Sequence, residues 1–464
     1  MPLVPIPINQ GSFKNADAFE IGQGAAELKN LLINDAGSNI SRPSLTEFAS
    51  IGTSPVIGLA FFDDQLFAVA ENRQMYAISS TGIVTNVADA ALEGTARPIF
   101  ANDGTYLAIA GGGAPKRWDG GAATEDMPGS PVDCTHVLYL DGYWVNFLLN
   151  DQELRFAGPT SILRATWNTS DFFQAEGLPD HIQAIAVLNR ELYAFGSDST
   201  ETFFNYGDSS NPFKRTFFID RGLGAKYSLV QADNTLWYLD SDRRFVQLQG
   251  RNPVTISTPY DRIIRGYSTV SDCWGTVIER DSHYLIAWTF PTVEKTLVYD
   301  YKFQYWSEWD TFIDGLSSRM TMHSAVHAKS WNKFFVGDPS EGTVWELSKT
   351  SHADGVYPRR LIRKTGQIDH GTGNRKRSNY YLFDVKRAVG AGSSTPIMEI
   401  RVNDDGQGWS EPEQVELGIT GEAQQPIRID MRGIYRKRQI EVTVTDSVEF
   451  VLHSIQEDVE VMTS

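Results

Sequence analysis

IQAIAVL (Ile182–Leu188), the polar pair Asn189-Arg190, ELYAFG (Glu191–Gly196), the turn Ser197-Asp198-Ser199 and TETFFNYG (Thr200–Gly207) form one continuous stretch. It holds three short runs of β-branched and aromatic residues separated by two polar turns, which is the pattern of an antiparallel meander. The same unit recurs on both sides. Upstream it reads VIGLAFF/LFAVA/MYAI from Val56, RPIFA/TYLAIA from Arg97, and HVLYL/YWVNFLL/ELRFAG from His136. Downstream it reads YSLVQ/TLWYLD/RRFVQLQG from Tyr227, WGTVIE/HYLIAWTF/KTLVYDYKFQYW from Trp274, and TMHSAVH/KFFVGD/TVWEL from Thr321. The first turns centre near residues 63, 103, 141, 189, 233, 281 and 329, a spacing of 38 to 48 residues. A period of about 40–50 residues with several strands per repeat predicts a β-propeller of about seven blades. Small sheets that cannot hide both faces alone bury each other when packed radially, and closing the ring leaves few exposed edges. The competing arrangement is a pair of β-sandwiches joined by meanders.

The flanks differ from the repeat. Residues 1–50 start with an extended, proline-rich piece (Pro2, Pro5, Pro7) that cannot be helical, and they read as an N-terminal arm and ring-closing segment. The propeller is assigned to 51–355. From 356 to 464, runs such as TPIMEIRVND, RQIEVTVTD and VEFVLHSIQEDVEV alternate apolar and polar residues, which predicts a C-terminal β-sandwich-like domain. The expectation is thus all-β throughout.

Composition narrows the function classes. The chain has 464 residues and a net charge of −17, which excludes a net basic nucleic-acid wrapper. From residue 355 onward 15 Lys+Arg meet 16 Asp+Glu, so nearly all the excess negative charge belongs to the arm and propeller. Two distant cysteines, Cys134 and Cys273, give no disulfide framework or zinc module. There is no apolar run long enough to span a membrane and no signal-peptide pattern at the N-terminus, so the chain reads as soluble and made in the host cytoplasm.

Chemical motifs are sparse, and the expectation is no enzyme, no catalytic residues, no metal and no cofactor. His323 and His327 would lie about 13 Å apart on one strand face, too far for one ion. Gly111-Gly112-Gly113 lacks the Lys-Ser/Thr of a phosphate loop. Asp281-Ser282-His283 puts three triad residue types side by side, in a turn. Asn168-Thr169-Ser170 fits a glycosylation sequon by chance. Val402 to Trp409 resembles the Asp-box hairpin of sialidase-type propellers through Asp404, Gly406 and Trp409; there the Asp caps backbone amides and the Trp packs over the turn, a structural role. Three basic clusters are candidate assembly contacts: Arg359/Arg360 with Arg363/Lys364, Arg375/Lys376/Arg377, and Arg436/Lys437/Arg438. Their plainer reading is a solvated strand end or loop.

In order along the chain, several segments resemble the packaged-DNA stabilisation proteins, or tail accessory (tail hub) proteins, of short-tailed bacteriophages. They are Phe13-Lys14-Asn15-Ala16-Asp17; Lys29-Asn30-Leu31 with Arg42-Pro43-Ser44-Leu45; and Asp180-His181-Ile182. Then follow Phe195-Gly196-Ser197 with Thr200-Glu201-Thr202-Phe203, Asp261-Arg262-Ile263-Ile264-Arg265, Asp281-Ser282-His283, and Leu297-Val298-Tyr299-Asp300 with Trp306. The resemblance implies a non-enzymatic virion protein of the tail, forming a homo-oligomeric, generally hexameric, ring below the portal and its adaptor. Its implied partners are those connector proteins, the tail needle and spikes or fibres, and genomic double-stranded DNA passing without sequence-specific binding. Two alternatives remain: a monomeric interaction propeller, and a polysaccharide-active propeller enzyme with convergent carboxylates.

Overall fold

The polar pairs between the first two runs of four of the repeats act as hairpin turns because their backbones take the left-handed conformation. Asp63 and Asp64 have φ of 47° and 54°, Asn189 and Arg190 of 51° and 64°, and Asp233 and Asn234 of 50° and 53°. Two successive residues with positive φ give a turn whose twist matches the strands it joins, and Asn and Asp tolerate that conformation best. The computed structural model describes residues 3–14, 26–88, 91–158, 167–208, 211–280, 282–390, 395–430 and 433–463. Asn15, Ala16, Asp17 and Asp281 of the motifs above lie outside them.

These hairpins build seven blades. Five are continuous four-stranded antiparallel meanders, beginning at Val56, Ile99, Val137, Ala184 and Val230. The sixth, Trp274–Arg280, His283–Phe290, Lys295–Asp300 and Tyr305–Ile313, runs on into a larger sheet. The seventh has only three strands of its own, Ala325–Ala328, Lys333–Gly337 and Thr343–Ser348. Its outermost strand is Ser44–Ser50, paired antiparallel with Thr343–Ser348. The ring is therefore sealed by a strand from before the first blade, which covers the last blade's edge and ties the two ends of the propeller together.

Each blade buries both faces against its neighbours, which is why the second strands read as unbroken apolar runs rather than alternating ones. Thr235–Leu239 is buried at all five positions. Seven apolar clusters lie between consecutive blades. Phe67, Ile109 and Trp118 join the first two blades, Val145, Phe156 and Phe213 the third and fourth, and Leu59, Phe335 and Val344 close the ring between seventh and first. Between the fifth and sixth, Trp288 is fully buried and stacks on Phe245 with centroids 4.1 Å apart.

The second unit is a sandwich whose strands come from both ends of the chain. One sheet runs Leu31–Ile33, Asn39–Ser41, Val451–Val461, Lys376–Val385, Ile427–Ile429, with Val4–Ile6 attached to Val451–Val461. The facing sheet runs Glu27–Lys29, Leu361–Lys364, Arg438–Val444, Ile397–Asp404, Glu413–Glu416, and Glu27–Lys29 also joins Tyr305–Ile313 of the sixth blade. Tyr381, Phe383, Met398, Ile440 and Leu452 share one core with Leu28 and Leu31. The segment expected as an arm thus divides between the ring-closing strand and the sandwich core. Pro5 sits on an edge strand, where its missing N–H costs no ladder hydrogen bond.

Candidate assembly surfaces and the joint behind them

Two of the motif segments, Lys29-Asn30-Leu31 and Arg42-Pro43-Ser44-Leu45, meet at the joint between propeller and sandwich. Asn30 takes φ 53°, which turns its amide inward. Its Nδ2 donates to Asp310 Oδ1 and, at 2.9 Å, to the Arg360 carbonyl. Arg42 Nε donates to Asn30 Oδ1 at 2.9 Å, and its fork grips Asp354 at 3.1 and 2.5 Å. The same guanidinium donates to the Asp310 carbonyl at 3.0 Å and lies 5.6 Å over the Trp309 ring. Both charges are out of water, so the pair holds only because every arm of the fork is used.

A second motif pair braces the fourth blade. Asp180 Oδ2 accepts the backbone N–H of Asp198 at 2.9 Å and of Ser199 at 3.0 Å, and Oδ1 accepts the Ser199 hydroxyl at 3.0 Å. A Cβ on Gly196 would sit 2.0 Å from Asp180 Oδ2, so only glycine lets the carboxylate reach the turn. Gly196→Ala is accordingly expected to destabilise the protein by about 1–3 kcal/mol through overpacking. Gly196→Ala combined with Asp180→Ala relieves the clash and leaves only the loss of the cap. Urea unfolding of the three proteins checks this, and a neutral Gly196→Ala would contradict it.

The basic clusters separate into interior and surface groups. Arg359, Lys376 and Arg438 are buried and cannot be assembly contacts. Arg359 donates to the Arg42 and His352 carbonyls at the joint, and the buried Arg363 donates to the Gln10 carbonyl. Lys376 Nζ caps the carbonyls of Thr372 at 2.5 Å and Arg436 at 2.6 Å. Arg438 forms a two-point pair with Asp404 at 2.5 and 2.6 Å and lies 4.1 Å over Tyr435. Alternation explains the split at Arg375-Lys376-Arg377, where only the middle side chain turns inward, while Arg438 opens a strand that is buried along its whole length. Arg375, Arg377 and Arg436 are exposed, while Arg360 and Lys437 are half-buried. Pairing of Lys376–Val385 with Gly433–Tyr435 brings Arg375, Arg377, Arg436 and Lys437 to one edge of the sandwich.

The turn after Val402 is built differently from the expectation. Asp404 does not cap amides, because Arg438 takes its carboxylate; Gly406 has φ 73° as the turn requires. Asp405 Oδ1 does the capping, accepting the N–H of Arg436 at 2.9 Å and Lys437 at 2.8 Å, and Trp409 lies beside Lys364 and Arg401 instead. The Asp-and-Trp arrangement predicted there occurs in the seventh blade. Asp338 Oδ1 accepts Ser340 N–H at 2.7 Å and Glu341 N–H at 3.1 Å, and Trp345 Nε1 donates to Asp338 Oδ2 at 2.8 Å. Asp338, Gly342 and Trp345 stand at +4 and +7 rather than +2 and +5, so the spacing of the Asp-box does not point to them.

The histidines serve packing. His323 is enclosed beside Arg97 and Trp274, and His327 stacks on Phe334, each with its own neighbours. Among the described residues no group of His, Cys, Asp and Glu could hold a metal ion. His283 Nδ1 meets the buried Asp300 at 2.9 Å, linking two neighbouring strands of the sixth blade. Cys134 and Cys273 are both buried, and burial pushes the Cys134 thiol up to about 12, so it stays protonated.

A model of the phage-stabilisation family, described as Bacteriophage P22 Gp10, beta-propeller, matches residues 26–352. Those residues contain the whole propeller, its closing strand and the Asn30, Arg42 and Asp310 side of the joint. A search of curated proteins finds no match. Among solved structures, the computationally designed Ika8 protein is 14% identical with a TM-score of 0.40, covering 65% of this chain and 99% of that one. Virginiamycin B lyase from Staphylococcus aureus is 9% identical at 0.46, covering 66% and 99%. The extracellular domain of a putative one component system from B. thetaiotaomicron is 11% identical at 0.46, covering 80% of this chain and 47% of that one. None reaches a TM-score of 0.5, so they add nothing to the functional assignment.

Proposed function

The chain belongs to the phage-stabilisation family described as Bacteriophage P22 Gp10, beta-propeller, and from that membership we propose that it is a non-enzymatic structural protein of a short-tailed phage tail. In this reading copies assemble into a hub ring, hexameric in stoichiometry, below the portal and its adaptor. The ring closes the filled head, retains the packaged DNA and seats the tail needle and spikes. The observation that carries the reading is the family match over residues 26–352. Two physical features support it. A seven-bladed ring welded to a sandwich through buried ion pairs is a stiff block that presents loop-covered faces to neighbours. The turns at one end of the innermost strands carry Asp63, Asp64, Asp103, Asp141 and Asp233 against Arg190, which pairs with Asp141, and Lys329; in this reading the acidic excess repels phosphate, letting a duplex slide past.

Electron microscopy of the purified protein mixed with a portal–adaptor complex tests the proposal. A new ring of density beneath the adaptor is expected; free monomers beside an unchanged complex would reject it. Arg375, Arg377 and Arg436 are proposed contacts in that assembly. Reversing all three to glutamate is expected to abolish addition to tail-less heads while thermal unfolding is unchanged, since the side chains are exposed. Undiminished addition would remove them from the interface.

A further inference from the structure

In a propeller the innermost strands all run the same way along the axis, so the residues just before them converge on one mouth of the central channel. Arg97 precedes Ile99–Asn102, His136 precedes Val137–Leu140, and Lys226 and Tyr227 precede Val230–Ala232. Trp274 opens Trp274–Arg280, and His323 precedes Ala325–Ala328. A cavity of about 190 Å³ lies here, lined by Arg97, His136, Lys226 and Tyr227 with apolar walls such as Ile185 and Leu236, and no Asp or Glu lines it.

The cations at this mouth lack a counter-charge. Among the described residues no carboxylate pairs with Arg97 or Lys226. Arg97 donates to the His323 carbonyl and lies 5.0 Å over the Trp274 ring, both neutral partners. Burial lowers Arg97 to about 10, which leaves it cationic at neutral pH. Lys226 Nζ rests 4.8 Å over the Tyr227 ring. Two donors nearby are unsatisfied as well: Tyr227 Oη, and Nε1 of Trp274, whose side chain is 7% exposed. Arg97 and Lys226 are half-buried, and a partly desolvated cation without a counter-ion is costly, as is a buried donor without an acceptor. Such a vestibule is unexpected in a chain of net charge −17. One ligand chemistry answers the two cations and the Tyr227 hydroxyl that line the cavity.

We propose that the axial mouth of the propeller binds a small oxyanion of the phosphate class, held between the Arg97 guanidinium and the Lys226 ammonium with the Tyr227 hydroxyl as a neutral donor. The cavity is far too small for a duplex, so the ligand is a free anion rather than nucleic-acid backbone. Bound there, it ties together the innermost strands of the second, third and fifth blades, which meet at this point. The site is independent of the assembly proposed above.

Isothermal titration of the full chain with inorganic phosphate, at ionic strength held constant with sodium chloride, tests it. Saturable binding of one phosphate per chain is expected, with a dissociation constant below about 10 mM. Lys226→Met is expected to weaken binding by about tenfold or more, and Tyr227→Phe by about threefold or more. Each variant removes an unpartnered polar group, so melting in phosphate-free buffer should be unchanged or slightly raised. No saturable heat, or equal affinity in Lys226→Met, would overturn the assignment. Arg97 is left intact because it also supports Trp274 and His323.

Discussion

Arg42→Ala is expected to remove about 3–5 kcal/mol of folding free energy, the cost of leaving one member of a buried ion pair alone. Asp354 would be left with 2% of its side chain exposed and no cation beside it, and its remaining contact, the Leu45 N–H at 3.1 Å, cannot replace two guanidinium bonds. The Asp310 carbonyl and Asn30 Oδ1 would lose donors at the same time. Because these groups lie where the ring-closing strand passes from sandwich to propeller, the loss should appear in the unfolding of both units. Arg42→Met with Asp354→Leu removes both charges together and is expected to recover most of the stability, since a well-packed apolar pair often equals a buried ionic one. Urea midpoints of the single and double variants decide the matter. A single substitution costing less than about 1 kcal/mol would show that the pair is not what fastens the joint.

Acidification supplies the second large effect. Burial, with Lys226 adding a smaller push, lowers His136 from 6.5 to about 3. Its neighbours are Thr135, whose hydroxyl meets Nδ1 at 3.1 Å, Phe147, and Tyr227 stacked at 5.9 Å, none of them anionic. The fold therefore prefers the neutral ring. The stability this confers is complete above pH 6.5, where the unfolded chain is also neutral. It is lost progressively as pH falls toward 3, by about 1.4 kcal/mol per unit while the unfolded imidazole alone is charged. His323 is driven down in the same direction, by burial first and then by Arg97. Glu457 adds a later loss. Desolvation alone would raise it, but His370 at 2.9 Å and the Tyr381 and Tyr435 hydroxyls together hold it below 4.5. Its contribution is present above 4.5 and disappears as pH falls through the folded value. Stability measured from pH 7 to 4 should thus decline well before carboxylates titrate, and His136→Gln should flatten that first limb. An unchanged slope in the variant would exclude His136 as its source.

Much of the architecture could be read from short-range pattern. Turn pairs such as Asp63-Asp64 and Asn189-Arg190 announce themselves because left-handed backbone favours Asn and Asp, and their spacing counts the blades. The apolar runs between them are legible for the same reason, since a strand buried on both faces has no polar side to interrupt it. Less could be read of the candidate surfaces. Arg359, Lys376 and Arg438 look like solvated cations because each stands among other cations, yet each is interior. Nothing local in Arg436-Lys437-Arg438 says that Asp404, 34 residues away, waits for the third of them. The axial mouth was equally hidden. Arg97, His136 and Lys226 belong to three different repeats, and none stands in a motif.

The amino-acid sequence by itself settled the local matters: strand, turn, strand, their period, and a family likeness carried by short segments such as Asp180-His181-Ile182 and Phe195-Gly196-Ser197. Those properties depend on φ preferences and on burial of neighbouring residues, which act over a few positions. Only the tertiary structure decided that Ser44–Ser50 completes the last blade, that Leu28 and Leu31 lie in the same core as Leu452, and which cations meet water. Those outcomes turn on long-range pairings, where free energy is gained between residues hundreds of positions apart and leaves no trace in the spacing of either partner.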